Sequence, residues 1–288
     1  MTSVPAISAE PALARDVEYT SGDFQRIANL LRELSGIRMP PSNEALVFSR
    51  LSKRVKRLGY TRFSDYVDLI AGDAEGEERD AMIEALTTNT TRFFREAHHF
   101  ETVESDLMPE IVQRLKQNDR IRLWSAGCSS GEEPYSLAAT VVKSCADVAQ
   151  FDLKILATDI DRSVIKKATA AQYRSDSCSA VPEEYAKILF DGPVAERDYV
   201  GIHPQVKSMV TFRYLNFMEP WPVRGPFTAI FCRNVMIYME EETQAQVWSG
   251  LASVLEPGGY LFIGHSERVG PELKGSLEMI GTTTFRKI

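Results

Sequence analysis

Residues 121–138 read IRLWSAGCSSGEEPYSLA. An apolar run, Ile121 to Trp124, meets a turn bearing Gly127 and Gly131, and a helical pattern follows from Pro134 to Ser144. Strand, glycine turn and helix in that order open a parallel α/β unit, and the turn is where such units cradle ligands. Phosphate cradles of this kind present a lysine or bare backbone N–H groups. This one places Glu132 and Glu133 at the mouth of the helix, which would repel a pyrophosphate.

The rhythm continues outward. LKILATDID, a helix from Ser163 to Ala170, FTAIFCRN, a helix from Glu241 to Leu255, GGYLFIGHSE and a closing pair near LEMIG and TTFRKI alternate as strands and helices. Near-continuous apolar strands predict a parallel sheet covered on both faces. Residues 172–212 break the rhythm and predict an insertion with a small antiparallel sheet, ending in the alternating KSMVTFRYLN. Upstream, residues 20–95 read as helices. Phe24, Ile27, Leu31 and Leu34 share one face, with Ser21 or Asp23 as the cap. Leu51, Val55 and Leu58 share another, beside a basic stripe of Arg50, Lys53, Arg54 and Arg57 at i, i+3, i+4 and i+7. GDAEGEERD reads as a solvated acidic turn, and residues 1–19 as a flexible tail. The expected domains are therefore 20–95 and 96–288.

The whole chain has 288 residues and a formal net charge of −7. That balance argues against general nucleic-acid affinity, which relies on phosphate neutralisation. Cys128, Cys145, Cys178 and Cys232 are far apart with no C-x-x-C pair, a pattern for reduced thiols, with no zinc site expected. No apolar run approaches the ~18 residues of a membrane helix, and the N-terminus lacks the pattern of a signal peptide. A cytoplasmic chain without direct membrane insertion is expected.

The carboxyl ends of the strands carry SAGCSSGEEP, ATDID, YLNFME, FCRNVMIY and GHSE: acids, amides, an arginine and a tyrosine, without lysine. Asp159 ends the second strand, where an acid accepts from ribose hydroxyls. A nucleoside with a cationic tail and no phosphate suits this set, and S-adenosylmethionine (SAM) is such a ligand. The turn by itself leaves a purely structural role open.

Taken in order, ALTTNTTRFFREAHHF (85–100), SAGCSSGEEPYSLA, ATDID, FCRNVMIYM and LEPGGYLFIGHSE resemble the chemotaxis receptor glutamate methyltransferases over roughly residues 20–288. The resemblance implies a Rossmann-like SAM-dependent α/β sheet, an N-terminal helical domain and a small inserted antiparallel β-subdomain. It implies methyl transfer to glutamates on the cytoplasmic helices of transmembrane chemoreceptors, with recruitment to receptor clusters; a monomer is the default expectation. It places Asn89, Thr91, Arg95, Glu133, Asp159, Asn216, Phe217, Arg233 and Asn234 at the cofactor. Arg95 and Tyr238 fall nearest the incoming carboxylate, and no contact is assigned to Thr90, Arg92 or Cys128. The basic stripe becomes a receptor surface, and the insertion a seat for a receptor tail.

Plainer readings apply elsewhere. Adjacent His98 and His99 point about 100° apart on a helix and suit packing or capping rather than a shared metal. A structural hydrogen bond is expected for His265, and packing for Trp124, Trp221, Phe93 and Phe94. Three other functions compete: a methyltransferase for another substrate, a catalytically inactive adaptor, and a nicotinamide-dependent oxidoreductase, which the acidic turn disfavours.

Overall fold

A computed structural model describes residues 17–73 and 76–288. The first sixteen residues of the expected tail lie outside this range; the last three do not behave as a tail. Val17 is buried, the Tyr19 ring packs on Phe48 and Phe63, and the Glu18 amide donates to the Thr61 carbonyl.

Four helices form the N-terminal unit: α1 (Ser21–Ser35), α2 (Glu44–Arg57), α3 (Phe63–Gly72) and α4 (Glu77–Leu86). Their inward stripes make one core of Phe24, Ile27, Leu31, Val47, Leu51, Val55, Phe63, Val67, Met82 and Leu86, whereas Leu58 is exposed. The cap of α1 is Thr20, in a reciprocal box with Asp23, so Asp23 serves as the third helical residue and not as the cap. The acidic run is not a turn throughout: Glu77, Glu78 and Asp80 form the first turn of α4, where negative charge meets the positive end of the helix dipole.

A nearly continuous helix follows as α5 (His98–Thr102), a π-helical turn at Val103–Leu107, and α6 (Met108–Lys116). Then come β1 (Ile121–Ala126), α7 (Glu132–Ser144), β2 (Leu153–Asp159), α8 (Arg162–Ala170), β3 (Gln172–Arg174), α9 (Ser175–Cys178), α10 (Glu183–Leu189), β4 (Tyr199–Gly201), α11 (Pro204–Met209), β5 (Val210–Tyr214), β6 (Phe227–Cys232), α12 (Glu241–Val254), β7 (Leu255–Ile263), β8 (Leu277–Gly281) and β9 (Thr284–Lys287). Seven strands form one sheet in the order β5-β2-β1-β6-β7-β9-β8. The first five run parallel, and β9 and β8 are antiparallel additions.

Alternation along the strands divides the core. Leu123, Ile155, Ala229, Phe231 and Phe262 face α5–α7, while Trp124, Ile230 and Leu261 face α12 through Trp248 and Leu251. Phe93 and Phe94 belong to the first core, and Trp124 and Trp221 pack edge to face in the second.

One strand departs from its expected place. Val210–Tyr214 pairs in parallel with β2, from Ile155↔Val210 to Asp159↔Tyr214, and is the edge of the main sheet. The antiparallel sheet within the insertion is β3 with β4 alone.

Candidate active site

Strand order reverses between β1 and β6, and a cavity of about 210 Å³ opens beyond their carboxyl ends. The turn after β1 supplies one wall. Gly127 is at φ +87° against the Val235 side chain, and Gly131 is at φ +98° beside the Tyr173 hydroxyl and Ala168. Both need the left-handed region and the missing Cβ. Ser129, with φ 49°, donates its amide to Asp159 Oδ2 (2.8 Å), and the Asp161 amide donates to Oδ1 (3.0 Å). Burial lifts the Asp159 carboxyl to about 6, against the downward pull of those two N–H groups.

Of the two glutamates that opened the sequence, Glu133 lines the cavity and Glu132 does not. The Ser130 hydroxyl donates to Glu132. Glu133 Oε1 accepts from the Ser125 hydroxyl (2.7 Å), and its Oε2 lies 3.5 Å from Arg233 Nη1. Burial pushes the Glu133 carboxyl up, with Arg233 and Ser125 opposing. Arg233 also faces Glu96 at 3.5 Å and donates to the Arg95 carbonyl. Glu96 is held below its ordinary range: burial raises it, but Arg233 and the His265 hydrogen bond outweigh that. Arg233 is thus the centre of a buried ion cluster, and only part of it reaches the cavity.

The remaining expected residues divide. Asn89, Thr91, Arg95, Phe217, Asn234 and Tyr238 line the cavity with Asp159. Asn89 is fixed by Asp161 (2.6 Å) and by the Ser129 hydroxyl, which donates to its carbonyl. Asn216 lies outside the lining: its amide nitrogen donates to the Leu34 carbonyl (2.7 Å), and its oxygen accepts from the Met218 amide. It ties the sheet to α1. Thr90, Arg92 and Cys128 do line the cavity, though no contact was expected of them. Burial, with Asp159 and Glu133 nearby, holds the Cys128 thiol far above its ordinary range, so it is no nucleophile.

Nothing in the residue pattern signals that the helical domain closes the cavity. Ile37 bridges Met239 in antiparallel fashion, the Arg38 amide donates to the Tyr238 carbonyl (2.8 Å), and Ile37, Arg38 and Met39 line the opening. Only a contact across two hundred residues reveals this.

These residues fit SAM: acids deep in the turn, hydroxyls and amides around them, and no lysine in the lining. Residues 89–286 match the CheR methyltransferase SAM-binding domain, and residues 22–87 its all-alpha domain. The chain belongs to the CheR methyltransferase family. A probable chemotaxis protein methyltransferase of Rhizobium etli is 44% identical across 88% of this chain and 94% of its own length. Chemotaxis protein methyltransferase 2 of Pseudomonas aeruginosa is 37% identical, covering 92% and 93%. The Escherichia coli chemotaxis protein methyltransferase is also 37% identical, covering 91% and 89%. As a CheR methyltransferase the chain uses SAM, and the oxidoreductase reading falls away.

The Asp159 environment sets a pH dependence. Its folded pKa of about 6 lies above the ~3.9 of a free aspartate. Burying the charge therefore costs the ligand-free fold stability above pH ~6, and that cost disappears as pH falls below ~4. Were the ionised carboxylate to hold a ribose, the preference would reverse. Affinity for S-adenosylhomocysteine (SAH) is expected to fall about tenfold per unit below pH ~6, and to flatten in Asp159→Asn. Calorimetry between pH 5 and 8 checks both; a flat wild-type profile removes Asp159 from the ribose.

Proposed function

We propose that this chain forms methyl esters on glutamate side chains of chemotaxis receptors, with SAM as donor. The observation that supports this most directly is that the cavity lining among the described residues holds neither histidine nor lysine to deprotonate an acceptor. His99 is buried against Phe231 and Phe262 and, through burial with help from Arg233, is lowered to about 3. His98 meets Thr283, and His265 meets Glu96. The two carboxylates of the lining, Asp159 and Glu133, are assigned to the cofactor in this reading. Such a site suits a nucleophile that arrives already ionised, and a glutamate, with a free pKa of ~4.3, does so at neutral pH.

SAM, when bound, supplies an electrophilic methyl carbon on a sulfonium. Asn89, Thr91, Glu133, Asp159, Phe217 and Asn234 hold it in this reading. Arg95 and the Tyr238 hydroxyl, half exposed at the opening, orient the acceptor carboxylate. The helical domain screens the site from water. Charge is consumed as carboxylate and sulfonium react, so a dry site favours the transition state relative to bulk solvent. Incubation with methyl-labelled SAM and receptor-containing membranes tests the proposal: esters release volatile methanol in mild alkali. Alkali-stable label points to another acceptor, and SAH binding without transfer points to an inactive adaptor.

The basic stripe requires revision. Arg54 makes two bonds to Glu78, at 2.7 and 2.6 Å, and Arg50 donates to the Leu86 and Thr87 carbonyls at the end of α4. Both hold α2 against α4. Lys53 and Arg57 remain exposed, without a side-chain partner among the described residues, and are the residues we assign to an acidic receptor helix. Lys53→Glu with Arg57→Glu is expected to lower receptor methylation about tenfold at low salt while sparing SAH affinity and melting temperature. Unchanged methylation makes the stripe a solvated face.

A receptor tail, where one is used, has a single candidate edge in the insertion. The outer side of β4 is covered by Phe190 and Asp191, so strand addition would occur at β3. No helix among the described residues is long and apolar enough to cross a membrane. A monomer working at the cytoplasmic face of receptor clusters completes the proposal.

A further inference from the structure

Glu267 lies in the loop after β7, is 3% exposed and does not line the cavity. Its carboxylate accepts four backbone N–H groups. Oε2 takes those of Asn234 (3.0 Å) and Gly264 (2.5 Å), and Oε1 those of Val235 and Met236 (both 2.8 Å). Three of the donors are consecutive in the loop after β6. Asn234 is left-handed there, with φ 59°, an arrangement that turns successive N–H groups toward one anion. Such a concavity commonly receives a ligand's phosphate or carboxylate; here the chain fills it with its own side chain.

The clamped loop carries Asn234, Val235, Ile237 and Tyr238, all of which line the cavity. It also begins with Arg233, which donates to the Arg95 carbonyl. Gly264 is fitted to the same closure: a Cβ there would lie 2.5 Å from Asn234 Nδ2 and 2.8 Å from Glu267 Oε2. One carboxylate outside the cavity thus fixes the strand-end loop that presents the candidate cofactor and acceptor contacts.

We propose that Glu267 is a positioning residue for methyl transfer: it acts as an internal anion that holds the 234–238 loop, and through it Asn234 and Tyr238, in the reactive geometry. The proposal rests on the SAM-dependent transfer reading given above. Glutamine at this position keeps the shape but turns an NH₂ group toward two of the four donors, so Glu267→Gln isolates the charge and acceptor pattern from the packing.

The Asn234, Val235 and Met236 amides are expected to exchange with solvent at least about tenfold faster in Glu267→Gln than in wild type. Turnover per SAH-binding site, counted by calorimetric titration, is expected to fall about 10- to 100-fold. In Glu267→Ala, formate is expected to fill the vacated nest and raise turnover again. Unchanged exchange at those three amides, full turnover per binding site in Glu267→Gln, or a deficit in Glu267→Ala that formate leaves untouched overturns the proposal. Transfer by wild type, run alongside, tests the functional reading separately, and the exchange measurement reports on the clamp whichever way that goes.

Discussion

Arg95→Ala is expected to lower kcat/KM for receptor methylation about 10²–10³-fold, the range seen when one preorganised hydrogen-bond donor to a reacting group is removed. The geometry explains why one contact suffices. Arg95 Nη1 already donates to the Thr90 carbonyl at 2.9 Å, which fixes the guanidinium at the opening and occupies one of its edges. The remaining nitrogens can steer a carboxylate from one side. A full bidentate grip would stabilise the ground-state anion as well as the transition state and lower its nucleophilicity. On the proposed reading, steering by one edge, together with the Tyr238 hydroxyl, would align the oxygen without immobilising its charge.

Lysine is not expected to restore the rate. It has a point charge on a flexible stem and cannot satisfy Thr90 and the acceptor with the same planar geometry. Arg95→Lys should therefore recover less than about tenfold of the loss. Initial rates with saturating SAM, combined with SAH affinity by calorimetry, separate two contributions. A change confined to kcat and receptor KM assigns Arg95 to the acceptor, while a matching loss of SAH affinity assigns it to the cofactor. Turnover within a factor of about three of wild type would remove Arg95 from both.

The turn that fixes the sheet was legible in the sequence because its physics is local. Gly127 and Gly131 sit where φ is positive, and the apolar runs before and after them are strands because both faces are covered. Asp159 was legible for the same reason, as the residue at the end of β2. What escaped were contacts made at a distance. Arg54 looks like part of a free basic stripe until α4 brings Glu78 to it. Asn216 is aligned with the cofactor residues but is claimed by the Leu34 carbonyl of α1. Glu267 was visible only as the end of a strand motif, since nothing in its spacing says that its carboxylate returns to residues 234–236. Val210–Tyr214 misled for a different reason. An edge strand of a parallel sheet has one exposed face, so its alternation resembles that of an antiparallel ribbon.

Arg233→Met is expected to be the most damaging of the substitutions for stability, and the reason lies in its two neighbours. The Arg233 side chain is 1% exposed, and the carboxylates of Glu96 and Glu133, 11% and 13% exposed, each lie 3.5 Å from it. Removing the cation leaves two carboxylates in a poorly solvated site with no positive charge between them. Breaking a buried pair in this way costs about 3–5 kcal/mol, because the remaining ions keep their desolvation penalty and lose their compensation. In a chain of this size that lowers the melting temperature by roughly 10 °C.

The loss carries a pH signature whose sign follows from the carboxyls. In wild type, Glu96 is lowered, so its stabilising share is present above the unfolded pKa and is lost as pH falls through the folded one. In the variant Glu96 rises above its unfolded value and joins Glu133, which burial already raises, so their penalty is full at neutral pH and fades as acid protonates them. Melting temperatures of the two proteins are therefore expected to converge between pH 7 and pH 4. Glu133→Gln added to Arg233→Met removes one of the stranded charges, so the double variant is expected to be more stable than Arg233→Met alone. The same arginine donates to the Arg95 carbonyl, so any Arg233→Met protein that remains folded should also transfer methyl groups slowly, which joins the stability of the ion cluster to the placement of the steering residue. A melting temperature within about 2 °C of wild type at pH 7 would show that the two glutamates are already neutral in the folded chain, since only uncharged carboxyls escape that penalty.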